Sequence, residues 1–128
     1  MTVLAALLLQ AAAPPTPALP PPVPPADWTS LPQLPVAAPP GTAASSFVRR
    51  EVAENRCRAA VAGGVAEIES SVAVLVDEEG DVQRVVPHAI NCPTVEQYTA
   101  GFVSSLARRA SGLKPGWYKY TMVYRWQG

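Results

Sequence analysis

The side chains of this 128-residue chain best suited to chemistry are two cysteines and a single histidine: Cys57, Cys92 and His88. Cys92 stands four positions after His88 in an irregular segment, a spacing at which an imidazole can activate a thiol. The competing reading joins Cys57 to Cys92 in a disulfide, the usual device of a small exported domain. Such a bond stabilises a fold of this size by roughly 4 kcal/mol through the unfolded chain's lost entropy. With the export signal described below, the disulfide is the expected state, and no third group is in view to orient the imidazole of a dyad. One histidine, two paired cysteines and scattered carboxylates do not make a metal site. Glu67 and Glu69 share one strand face, where solvated charge is the ordinary explanation. No glycine-rich phosphate loop, nucleophile elbow or zinc spacing occurs. The expectation is therefore a protein that is not an enzyme and uses no metal or cofactor.

Composition limits what can position these residues. Of the 15 prolines, 12 lie between Pro14 and Pro40, and no regular core forms through a stretch with so few backbone donors. The expected organisation is residues 1–18 as a signal peptide or short amino-terminal apolar segment, 19–41 as a Pro/Ala-rich linker, and 42–128 as one small domain. The apolar run within Met1–Ala13 is about 11 residues, too short to span a bilayer, but of the length of a secretory signal's hydrophobic region. A periplasmic or secreted location follows, with a membrane-associated amino terminus as the alternative and no integral membrane span. Net charge is zero, which gives no reason to expect nucleic acid as a partner. Seven acids against Arg84 alone fall between Glu67 and Glu96; beyond them come Arg108, Arg109, Lys114, Lys119 and Arg125 with no acid. Pairing of the two segments across a sheet and its covering helix is expected, with a basic binding edge as the alternative.

Periodicity supplies the elements. Val48, Val52 and Ala59 form an apolar line that predicts a helix over Ser45–Ala60, capped by Ser45 or Ser46 and stopped by Gly63-Gly64. Val65–Val76 and Val82–Ile90 read as a hairpin around Asp77-Glu78-Glu79-Gly80-Asp81, whose acids lack the spacing of a calcium loop. Pro93 opens a second helix to about Ala110, with Val95, Tyr98, Phe102 and Leu106 stepping by three or four. Gly116–Trp126 alternates strictly and carries five of the chain's nine aromatic residues, a strand signal. The fold class is α+β: a three-stranded antiparallel sheet with two helices, in the order helix, hairpin, helix, strand. Tyr118, Tyr120, Met122, Tyr124 and Trp126 are expected to face the second helix. Trp117, Lys119, Thr121, Val123 and Arg125 then face solvent. In the proline-rich segment, Trp28, Leu31 and Leu34 are three apart; they are read as a strap on the domain's own core, or alternatively as a linear motif for a partner.

The Val72–Val82 hairpin, the helix entry Asn91-Cys-Pro-Thr-Val-Glu-Gln97 and the closing strand Gly116–Trp126 together resemble the C-terminal domain of TonB energy transducers, over about residues 45–126. The proline-rich spacer and the export signal are similar too. The resemblance implies a domain whose last strand takes up an extended segment, such as part of an outer-membrane receptor, as an added strand. The edge it points to is the backbone of Trp117–Tyr124, and the partner-binding residues expected on the strand's outward face are Trp117, Lys119, Thr121, Val123 and Arg125. Met1–Ala13 is too short for a transducer's membrane anchor, and the family's charged linker repeats are missing. An exported structural or stress-related domain without a peptide partner, self-associating as a homodimer, is the second reading.

Overall fold

The computed structural model describes residues 23–36, 42–110 and 112–128. The signal-like segment and the first part of the proline-rich stretch lie outside the described residues. A 3-10 turn at Trp28–Ser30 is followed by helix α1 (Thr42–Ala53), strands β1 (Ala60–Ala62), β2 (Val65–Val76) and β3 (Val82–Pro87), helix α2 (Pro93–Arg109) and strand β4 (Gly116–Gln127). No described helix is long and apolar enough to cross a membrane.

All pairing between these strands runs through β2 and is antiparallel. One edge of β2 pairs with β4 along its whole length, from Val65↔Gln127 to Val76↔Gly116. The opposite edge is shared: β1 takes Val65–Glu67 and β3 takes Val72–Val76. The sheet is thus four-stranded, where three strands were expected. The extra strand arises because α1 ends at Ala53 rather than near Ala60. Asn55 adopts φ 60°, and the Asn55 N–H donates to the Val52 carbonyl while the Arg56 N–H donates to that of Glu51, a Schellman ending with asparagine at the left-handed position. Gly63 and Gly64, at φ 59° and 78°, then form the two-residue turn of the β1–β2 hairpin, which needs positive φ at both positions.

The β2–β3 turn is held by Asp77, whose Oδ1 accepts from the Glu79 and Asp81 amides at 3.0 and 2.9 Å. Gly80 supplies φ 83° there. Of the turn's acids, Asp77 serves the turn's own backbone. Alternation sorts β2 and β4 into two faces. Ile68, Val72, Val74 and Val76 with Tyr120, Met122 and Tyr124 make the main core. Val95, Val103 and Ala107 of α2 and Ala44 and Val48 of α1 close it from above. The aromatic face of the last strand, expected under the second helix, is covered chiefly by α1. Helix α2 lies mainly over β2 and β3 and reaches Tyr124 through Tyr98 and Thr99.

Cys57, just past α1, is joined to Cys92 at the start of α2 with Cα atoms 5.1 Å apart. Glu96, in the first turn of α2, reaches back so that one carboxylate oxygen accepts from the Ile90 and Cys92 amides at 3.2 and 3.0 Å. An acid in this place also complements the helix's positive end. The disulfide and this carboxylate together fix how α2 enters the fold.

Candidate functional site: the outer edge of the last strand

The five residues singled out on β4 divide into two groups. Trp117 is only 7% exposed and belongs to a second, smaller core with Leu31, Ala73 and Leu75, against which Trp28 and Val86 pack. It does not face solvent as the alternation suggested, because the proline-rich segment lies over it. Lys119 is taken by the same segment through its backbone. Its N–H donates to the Pro32 carbonyl at 2.9 Å and its carbonyl accepts from the Leu34 N–H at 2.8 Å, forming a parallel bridge between Gln33 and Lys119.

The strap bends around the edge of the sheet. Asp27 caps its 3-10 turn, accepting from the Thr29 amide and hydroxyl at 3.0 and 2.6 Å, and the Thr29 hydroxyl bond holds the Asp27 carboxyl below its usual range. Leu31 then packs beneath the sheet, while Leu34, 1% exposed, enters the main core on the other face. Trp28, Leu31 and Leu34 thus do not share one side, as a regular three-residue helix would have placed them. Pro32 and Pro35 have no N–H, so the strap can pair with β4 at this point without forming a regular strand.

The geometry at Lys119 fixes which backbone groups of β4 point outward. In an unbroken antiparallel ladder the outward direction recurs every second residue, so Thr121, Val123 and Arg125 aim N–H and C=O away from β2. Among the described residues no backbone hydrogen bond reaches these groups. Their side chains sit on the open face beside β2. Thr121 and Ser71 hydroxyls are 2.8 Å apart, and Arg125 Nε donates to Glu67 Oε2 at 2.8 Å. Arg125 and Glu67 are one pair of the kind the charge distribution suggested; among the described residues no further ion pair joins the two segments. The Glu67 carboxylate, by hydrogen bond first and charge second, raises the Arg125 pKa. Val123, between them, carries neither charge nor donor.

The residues that sequence chemistry put forward are placed apart from this edge or used structurally. Cys92 is bonded to Cys57, and neither of the chain's cysteines is free, so a Cys92–His88 dyad has no thiol. His88 donates its backbone N–H to the Ser71 carbonyl at 2.9 Å, and its ring meets that of Trp28 edge-on at 5.1 Å. Ala26, Trp28, Thr29, Ser71 and His88 line an open hollow of about 260 Å³ where the strap crosses the sheet. The Ser71 hydroxyl in it is engaged by Thr121. Among the described residues no group of three or more His, Cys, Asp or Glu could hold a metal ion. What the arrangement offers is an edge: alternate, outward-facing amides and carbonyls ending at a strap. Compared with known proteins, the chain matches no family model, no curated protein and no solved structure.

Proposed function

We propose that the protein is an exported interaction domain that binds an extended peptide by strand addition along the outer edge of β4, in the manner its TonB-like sequence features imply. The observation that carries this reading is the run of outward backbone groups at Thr121, Val123 and Arg125, which begins where the strap's pairing stops. Strand addition draws affinity from main-chain hydrogen bonds and selectivity from alternate side chains. Here Val123 offers an apolar contact on the open face, flanked by Thr121 and Arg125. The partner is a protein or extended peptide, such as a segment of an outer-membrane receptor; it is neither nucleic acid nor a small-molecule substrate.

The test is selection of short displayed peptides on the full chain, repeated with Val123→Pro and Thr121→Pro. Each proline removes one outward donor from the ladder, and binding is expected to fall by at least about tenfold. Amide shifts on addition of a selected peptide are expected to concentrate at Thr121–Arg125. Peptides that bind while leaving those amides unmoved would show that recognition lies elsewhere on the molecule.

A further inference from the structure

The strap is bonded to the very strand whose edge is proposed to take up a peptide, and its mode of attachment has the form of an added strand. Only one residue of β4, Lys119, exchanges both its backbone groups with it. Pro32 has no N–H with which to extend the pairing toward Trp117, and the Val36 N–H turns back to donate to the Leu34 carbonyl at 2.8 Å, so the pairing does not spread along the edge in either direction. The side chains anchor it on two faces, Leu31 at 9% exposure below and Leu34 at 1% above. A contact of two backbone hydrogen bonds and a few apolar side chains is weak beside the β2–β4 ladder, which pairs all twelve residues of β4. It can therefore open while the sheet stays whole, as segments with few hydrogen bonds do.

We propose that residues 28–36 are a resident competitor for the docking edge. A peptide confined to Thr121–Arg125 binds beside the strap. One that pairs through Lys119 must first lift Pro32 and Leu34 from it, so strap opening sets both the register and the apparent affinity of longer ligands. This rests on the strand-addition reading of β4. Affinity for a state that is only partly populated falls by that populated fraction, and loosening the strap therefore raises affinity for any ligand that uses Lys119.

The probe is the strap's own sequence, as a synthetic peptide spanning Asp27–Val36, because that is the one sequence the structure shows on this edge. It is titrated into the full-length chain and into the full-length Leu31→Ala/Leu34→Ala variant, with the Lys119 and Val123 amides followed. The parent is expected to bind it weakly. The variant is expected to bind at least about tenfold tighter, with the Lys119 amide regaining protection from exchange. Equal affinity for both chains, or a folded variant whose Lys119 stays unprotected at saturation, overturns the proposal.

A second measurement needs no variant. In the parent, the Leu34 and Lys119 amides are expected to exchange well before that of Met122, which faces β2. Equal protection of the three would mean that the strap opens only with the whole fold, and the competitor idea fails. Failure of the edge reading itself is distinguishable. It appears as selected peptides that leave Thr121–Arg125 unmoved, whatever the strap does.

Discussion

Tyr124 is fully buried, and its phenol is the most perturbed group of the main core. Its hydroxyl lies 2.8 Å from Thr99 Oγ1, which itself donates to the Val95 carbonyl at 2.8 Å. Burial pushes the phenol up to about 12; the Thr99 hydroxyl opposes this, and nearby Tyr98 adds to it. The native state thus retains the Tyr124 proton where the unfolded chain, with a tyrosine pKa near ~10, has lost it. Stability from this group is complete below the unfolded value and is lost as pH rises from about 10 toward 12. The loss is on the order of 2–3 kcal/mol. Spectrophotometric titration should show a tyrosine that ionises last, and Tyr124→Phe should remove that component. A Tyr124→Phe titration unchanged from the parent would assign the late step to another residue.

At the scale of elements, the strap behaves as part of the domain. Leu34 is packed among main-core side chains, so Leu34→Ala should cost about 2–4 kcal/mol, as buried leucine truncations do. Leu31→Ala, in the smaller core, should cost less. Denaturant midpoints of the two variants check the order. Loss of under about 0.5 kcal/mol for Leu34→Ala would mean that the strap contributes nothing to stability. The elements themselves were legible wherever their pattern was local. The alternation of Gly116–Trp126, the apolar steps of α2 and the β2–β3 hairpin needed no long-range information. The end of α1 was obscured because Gly63-Gly64 serves equally as a helix stop and as a hairpin turn. The competing signal was a pair of apolar runs, Ala59–Ala62 and Val65–Ala66, flanking two glycines. The strap's grip on Lys119 had no such signal. A segment with prolines at 32 and 35 does not read as a strand, and its pairing depends on a strand far along the sequence. The buried state of Trp117 follows from that pairing and was equally hidden.

For the whole molecule, the disulfide joins the exit of α1 to the entry of α2, elements that otherwise meet at few places. Reduction should lower stability by about 2–5 kcal/mol. Melting curves with and without reductant measure this, and a double Cys57→Ala/Cys92→Ala variant should match the reduced protein. An unshifted melting point on full reduction would show that side-chain packing alone holds the two helices in place.

β2 carries every strand pairing in the sheet, and that gives the chain a particular order of assembly. Its hairpin partners β1 and β3 lie close in sequence, so one edge can form as soon as β3 has been made. The other edge must wait for β4, whose residues pair across separations of up to 62 positions, as Val65 does with Gln127. Contacts that distant close slowly, because the loop entropy is lost before the ladder can compensate. Until β4 arrives, a twelve-residue strand rich in valine stands with one side unsatisfied. A nascent copy is therefore at its stickiest after β3 has been made and before β4 has. The interval between synthesis of β3 and of β4 is when this protein most needs a chaperone, or isolation from its own kind.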